Sequence, residues 1–431
     1  RRGRSQRDVE RFTRLVGSAD RDGSGAQRPG FARIGVVGHM GPFWLACRTV
    51  GSVSVDVNAQ AAANRDGVKH RIAIVFGGRN SEHGISCVSA GNVLAAIDRT
   101  AYEVVAVGIG RDGGWRLAPD DPQRYTIVDG VTPEVPTEGE QVMLAPDPTV
   151  GGLVTAAGTV IPIDVVFPVL HGAGGEDGAI QGVCELAGLG LVGSGVAASA
   201  VCMDKLRTKA AAAAAGIPTG DFVGITDYDW NHRREEVLER VEALGVPIFV
   251  KPARAGSSVG ISKVVDAADA IAAIEHARSF DRRVIVEAAI VGAREIECGV
   301  LGTPSGPIVS ECAEIEVLGD HEFYDFQAKY IDGSARTTVP ARISDRDRET
   351  IRQLARSTFL ALGCEGMARV DVFLLPDGTV LLNEPNSIPG FTSSSMYPVV
   401  WQAAGVDYPA LIDALVADAV RRAARPEVSP G

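Results

Sequence analysis

The stretch MARVDVFLLPDGTVLLNEPNSIPG (367–390) concentrates groups that could manage cations and phosphate. Two strand-like runs flank Asp377 and Gly378, and Asp-Gly between alternating apolar residues signals a hairpin. With those two as the turn, Asp371 faces Glu384 and Arg369 faces Asn386, and strand alternation puts all four on one face. Directly opposed residues have Cβ atoms roughly 4.5–5.5 Å apart, so two carboxylates there need a proton or a cation between them. Asp371, Glu384 and the Asn386 carbonyl make a hard oxygen set suited to Mg²⁺, which takes few protein ligands and completes its shell with phosphate oxygens. The plain alternative is a solvated hairpin face, but Val370, Val372 and Leu374 make the opposite face the better core side. A bulge would shift this register.

A second candidate is VKPARAGSSVGI (250–261), which follows the apolar run VPIFV (246–250). Gly256 and Gly260 permit close backbone approach, and Ser257 and Ser258 add hydroxyls to the amide donors. Such a nest binds anionic oxygens, and Lys251 could put a positive charge on the same group. A Gly/Ser turn between strands is the alternative. Combined with a magnesium hairpin, nucleotide phosphate is the better reading.

Three further segments carry weaker signals. HGAGGEDGAIQG (171–182) follows a strand and opens a helix, where N–H groups favour a carboxylate or phosphate; His171 could face the ligand or be structural. GGRNSEHG (77–84) has the same strand-loop-helix position, and Glu82 could hold an ammonium group or simply complement the helix dipole. FYDFQAKYIDG (323–333) combines aromatics with Lys329, as a loop folding over a reaction centre would, or as an ordinary surface loop.

The elements that would position these groups fall into two styles. RIAIVFGG (71–78), YEVVAVGIG (102–110) and DVVFPVL (164–170) are strands alternating with helical patterns, which indicates a parallel α/β domain. The GIGRDG at 108–113 is no dinucleotide fingerprint, because Gly114, Trp115 and Arg116 predict a turn into another strand instead of a helix. The run 197–216 reads as one long alanine-rich helix ended by Gly216 and Pro218. Beyond it the strands suit antiparallel α+β domains, with a closing helix over 408–424.

A chain of 431 residues suggests two to four domains. The net charge of −12 argues against a general nucleic-acid or anionic-membrane binder. Seven scattered cysteines without a C-x-x-C pair fit neither a disulfide framework nor a zinc site, and suit a reducing cytosol. No run reaches the eighteen or so apolar residues of a spanning helix, and no secretory signal is recognisable. Residues 1–68 are rich in Arg, Gly, Ser and Ala with little periodicity, and are expected to be a disordered or spurious extension.

In order along the chain, GGRNSEHGISCVSA, HGAGGEDGAIQG, VGSGVAASAVCMDK, VKPARAGSSVGISKV, YDFQAKY, RVDVF and NEPNSIPGFTSSSMYP resemble the D-alanine–D-alanine ligase family of the ATP-grasp superfamily. The resemblance covers about 69–420. It implies a Rossmann-like N-terminal domain (69–195) followed by a two-part ATP-grasp domain, with a central subdomain at 196–300 and a C-terminal one at 301–424. It implies ligation of two D-alanines through a D-alanyl phosphate, with ATP and two Mg²⁺ or Mn²⁺ ions, for peptidoglycan precursors in the cytoplasm, by a homodimer.

Residue by residue, the resemblance makes Asp371, Glu384 and Asn386 the metal ligands, with Glu384 bridging. Lys205, Lys251, Lys329 and the amides around Ser257, Ser258 and Val259 would contact phosphates. Glu287 and Ile290 would lie at the adenine and Glu295 at the ribose. Glu82 would hold the first D-Ala ammonium, with His171 nearby. Arg369 and the Gly390 N–H would stabilise the oxyanion, and Ser395 with Met396 would position the second D-Ala. Tyr330, linked through Ser257 to Glu82, would orient the first substrate; a Tyr there favours D-Ala over D-lactate. The alanines at 288 and 289, an extra residue before Glu295, and Pro385 and Ser387 depart from the commoner pattern. Pro385 lacks an N–H and requires an edge or unpaired position.

Overall fold

The structure, a computed structural model, describes residues 69–317 and 335–424. Its first lobe is built from β1 (His70–Gly77), α1 (His83–Ala96), β2 (Tyr102–Ile109), β3 (Trp115–Leu117), β4 (Val142–Leu144), β5 (Gly152–Thr155), β6 (Val160–Pro162), β7 (Val165–Pro168), α2 (Ala179–Leu186) and β8 (Gly190–Leu191). The main sheet has the order β3-β2-β1-β7-β8, with β1 parallel to both β2 and β7. Nearly every residue of β1 and β7 is buried, as expected of strands covered on both faces. Gly110–Gly114 turns β2 into the antiparallel β3, so GIGRDG opens a strand as expected. Strands β4–β6 form a separate small sheet.

The second lobe contains α3 (Val196–Met203), α4 (Lys205–Ala214), β9 (Phe222–Ile225), α5 (Asp227–His232), α6 (Arg234–Glu242), β10 (Ile248–Pro252), β11 (Ser262–Val264), α7 (Ala270–Arg278) and β12 (Val284–Ala288). The expected single helix over 197–216 is in fact two. Asp204 has extended backbone angles and caps α4 by accepting from the Leu206 and Arg207 amides; its other carboxylate oxygen pairs with Arg283. A capping Asp wins locally over the helix propensity of its neighbours. Gly216, at φ +73°, ends α4 as expected. The antiparallel sheet β11-β10-β12-β9 has its own core, with Trp230, Val241, Ile248, Ile274 and Val286 fully covered.

The third lobe comprises β13 (Arg294–Leu301), β14 (Ile308–Val317), β15 (Ala335–Thr338), α8 (Asp345–Ala361), β16 (Met367–Leu374), β17 (Val380–Asn386), α9 (Met396–Ala403) and α10 (Tyr408–Ala423). All pairings in the sheet β15-β14-β13-β16-β17 are antiparallel. Its β13 begins at Arg294, so this sheet already starts within the 196–300 segment. The apolar stripe of α10 returns to the first lobe: Leu411, Ile412, Leu415 and Val416 share one core with Ile72, Ile74, Phe76 and Phe167.

Candidate active site

Ligands of open α/β sheets bind beyond the carboxyl ends of the strands, where the strand order reverses. Here that point lies between β1 and β7. The loop after β1 carries Glu82 immediately before α1, and the loop after β7 carries His171 and Glu176. Gly172, at φ +76°, lets the second loop pass the first: a Cβ there would lie 2.4 Å from Glu82 Oε2.

His171 is buried, with Nδ1 3.2 Å from the Ile388 carbonyl oxygen and Nε2 2.9 Å from Ser89 Oγ. A carbonyl only accepts, so Nδ1 carries the proton and Nε2 accepts from Ser89. Burial lowers the pKa of the ring, which suits this neutral tautomer. His171 lines the cavity, but both its nitrogens are already engaged. Glu176 accepts from the Gly172 amide at 2.6 Å, and burial, reinforced by the Glu82 carboxylate, raises its pKa to about 8.

The hairpin β16–β17 forms the opposite wall. Asp371 pairs with Glu384 and Arg369 with Asn386, the pairing expected for a two-residue turn, but the turn has three residues. Leu375 and Thr379 close it around Pro376, Asp377 and Gly378, with Gly378 at φ +84°. That offsets the register by one, and a bulge at Asn383 restores it before Glu384. Two departures cancel at the site. β17 is an edge strand, as Pro385 requires.

Arg369 forks onto both Asp371 oxygens at 2.8 and 2.7 Å, and its Nε lies 3.0 Å from Glu297. Burial opposes its charge, but Asp371 and Glu297 more than offset that and hold its pKa well above the usual value. Asn386 Nδ2 donates to Asp371 at 3.0 Å, and Lys205 Nζ stands 3.2 Å from Glu384. Among the described residues no three His, Cys, Asp or Glu side chains converge as a metal cage. Two carboxylates with an amide, whose oxygens are met here by Lys205, Arg369 and an N–H, nevertheless suit Mg²⁺ or Mn²⁺ that shares its shell with phosphate.

The Gly/Ser loop closes the top. Ser257 and Ser258 have φ of +48° and +60°, an unusual pair of left-handed non-glycine residues, and the Ser257 hydroxyl donates to Glu82. The Val259 amide already donates to the Gly256 carbonyl at 3.1 Å. Beneath the loop, Lys251 and Lys209 each hold one oxygen of Glu287, at 2.9 and 2.6 Å. Burial alone would raise the Glu287 pKa, but the two ammonium groups bring it down to about 2.

Two cavities result. One is lined by Glu82, His171, Glu176, Arg369, Asn386 and Gly390. The other is a larger cleft between the second and third lobes, lined by Lys251, Ser258, Glu287, Ile290, Glu295 and Asp371 among others. They meet at Lys205, Gly256, Ser257 and Glu384. Val259, Ser395 and Met396 line neither. The Ser395 hydroxyl is 2.7 Å from Thr392 Oγ1, at the head of α9. Lys329 and Tyr330, with the rest of the 323–333 segment, lie outside the described residues.

Glu176, Lys209 and Glu297 also line these cavities, although no sequence motif marks them. Lys209 was findable as the second lysine, one turn after Lys205, in an alanine-rich helix. Glu297 was findable as the residue two beyond Glu295, on the same strand face.

A Rossmann-like lobe followed by two α+β lobes that enclose a lysine-lined cleft is the ATP-grasp fold. Residues 71–194 and 211–417 match the family models described as "D-ala D-ala ligase N-terminus" and "D-ala D-ala ligase C-terminus". A D-alanine–D-alanine ligase of Mycobacterium sp. (strain KMS) is 51% identical over 364 residues, spanning 82% of this chain and 96% of the relative. The one from Streptomyces coelicolor is 48% identical over 366 residues, 82% and 93% of the two chains. Among solved structures, the VanG D-Ala:D-Ser ligase of Enterococcus faecalis superposes with a TM-score of 0.71 at 36% identity, covering 81% of this chain and 99% of that one. The D-alanine–D-alanine ligase of Coxiella burnetii gives 0.68 at 34% identity, covering 82% and 96%. The chain belongs to the D-alanine–D-alanine ligase family.

Proposed function

We propose that this protein joins two D-alanines, with ATP giving ADP and phosphate, to make D-alanyl-D-alanine for peptidoglycan precursors. The observation that carries the reading is the junction of the two cavities. A small cavity lined by the Glu82 carboxylate and the Arg369 guanidinium opens into a lysine-lined cleft at Lys205, Gly256, Ser257 and Glu384. An amino acid and a triphosphate placed there have their reacting ends together.

In this mechanism Glu82, fixed by Ser257, takes the ammonium of the first D-Ala. The carboxylate of that D-Ala attacks the γ-phosphorus of ATP, the bond to the β-phosphate oxygen breaks so that ADP leaves, and D-alanyl phosphate forms. The amine of the second D-Ala then attacks the carbonyl carbon and phosphate departs. Lys205, Lys251 and Ser258 steady the phosphates from the second lobe, while Arg369 and the Gly390 N–H face the oxyanion of the tetrahedral intermediate. Asp371, Glu384 and Asn386 would hold Mg²⁺ or Mn²⁺, which supplies charge neutralisation between the two anions. Ile290 and Glu295 border the nucleoside end, and Ser395 and Met396 bear on the second substrate through the start of α9. Among the described residues no helix is long and apolar enough to cross a membrane. A cytoplasmic homodimer fits this chemistry.

The test is phosphate release with ATP and Mg²⁺ and the acceptors D-Ala, D-Ser and D-lactate. Release with D-Ala alone is expected. Release only when D-Ser or D-lactate accompanies D-Ala would replace the product with a mixed dipeptide or depsipeptide.

A further inference from the structure

Glu287 sits in β12 with Phe222 of β9 and Phe249 of β10 as its register neighbours. The three form one row across the sheet, and Phe249 and Glu287 of that row line the nucleotide cleft. A lysine stands on each side of the row. Lys209 Nζ is 2.6 Å from Glu287 Oε1 and 5.7 Å from the Phe222 ring centre. Lys251 Nζ is 2.9 Å from Oε2 and 5.7 Å from the Phe249 ring centre. The clamp is symmetric, although its lysines come from a helix and a strand.

The symmetry raises a physical difficulty. The nucleotide reading of the cleft, on which this inference rests, sends Lys251 to the phosphates. The Glu287 side chain is only 12% exposed, and a carboxylate so enclosed is strongly disfavoured without a cation. Lys209 removes the difficulty. It lies one turn after Lys205, so the two share a side of α4: Lys205 stands beside Glu384 and Lys209 beside Glu287. One helix thus lines the cleft with two cations, one turn apart.

We propose that Lys209 is a positioning residue for the nucleobase: it keeps Glu287 charged and aimed as a hydrogen-bond acceptor, which frees Lys251 for the triphosphate. An ionised carboxylate only accepts hydrogen bonds, so it favours the 6-amino group of adenine and opposes the 6-oxo group of guanine. Lys209 would therefore set base selectivity without touching the reacting atoms.

The experiment measures binding of ADP, GDP and inorganic tripolyphosphate by the full chain with Mg²⁺, for wild type, K209M and K209R, alongside KM and kcat. In K209M the Kd for ADP should rise about tenfold, the worth of one charge-assisted hydrogen bond, and the preference for ADP over GDP should shrink in step. Tripolyphosphate affinity, kcat at saturating ATP and the KM for D-Ala should stay within about twofold, and K209R should recover part of the loss. Unchanged ADP affinity, or equal losses for ADP and tripolyphosphate, would overturn the proposal. Should K209M fail to fold, E287Q and E287Q/K209R supply the answer. Arg for Lys should weaken ADP binding in wild type but not once the carboxylate is gone, and additive effects would overturn the proposal. ADP binding is measured without amino acid, so a wild type that binds ADP but ignores D-Ala removes the ligase reading and leaves Lys209 judged on its own.

Discussion

The Ser257 hydroxyl, in the loop of the second lobe, donates to the carboxylate of Glu82, 175 residues earlier at the head of α1. The side chain proposed to hold the first amino acid is therefore steadied by the loop proposed to cover the nucleotide. Ser257→Ala should raise the KM for the first D-Ala about tenfold, the range of a hydrogen bond to a charged group. The rise should exceed that for ATP. Steady-state titration of D-Ala at saturating ATP separates the two, and an effect confined to ATP would break the coupling.

Arg369 is held by Asp371 and Glu297 together. A lysine keeps the charge but loses the fork, so Arg369→Lys should fold and lose about 10²–10³ in kcat, the loss typical of an oxyanion donor. Arg369→Ala leaves two enclosed carboxylates without their cation and should cost about 3–5 kcal/mol of stability. Thermal unfolding beside turnover distinguishes these effects.

Glu176 gives a pH signature. Burial and the neighbouring Glu82 carboxylate raise its pKa from 4.5 to about 8, so the native state holds a proton that the unfolded chain releases. Its contribution to stability is complete below the unfolded value and is lost as pH rises through about 8. Glu176→Gln, which is neutral throughout, should flatten the fall in melting temperature between about pH 5 and 9. Parallel curves for variant and wild type would count against a raised pKa.

Asp204 both caps α4 and pairs with Arg283. Asp204→Ala should destabilise by about 1–2 kcal/mol through the cap, with the lost ion pair adding to it, and should weaken nucleotide binding by loosening Lys205. Asp204→Asn keeps the cap and should recover most of the helix stability, as urea titration would show.

The hairpin shows how far residues alone could be read. The shared face of Arg369 and Asp371 was legible from apolar alternation in β16, but the pairing of Asp371 with Glu384 matches the expected one only because the extra turn residue and the bulge cancel. The three-residue turn and the bulge at Asn383 were not legible, because only the space around β17 settles them. The order of parallel and antiparallel lobes was legible from strand spacing. The break at Asp204 was missed because alanine-rich flanks outweigh a single capping residue in any propensity sum. Glu176 went unread because HGAGGEDG points first to backbone amides, and its burial against Glu82 depends on two loops from non-consecutive strands. The partners of Glu297 and Lys209 are likewise set by tertiary pairing.

The return of α10 to the first sheet has a consequence for synthesis. Leu411, Ile412, Leu415 and Val416 complete a core begun by Ile72 and Ile74. On the ribosome, growing at ~5–20 residues per second, the first lobe must wait with part of that apolar face uncovered until α10 emerges. The middle lobe, with its separate core, can finish alone. The order of completion is then not the order of the sequence, and a chain cut before α10 should aggregate through its N-terminal sheet instead of yielding a folded first lobe.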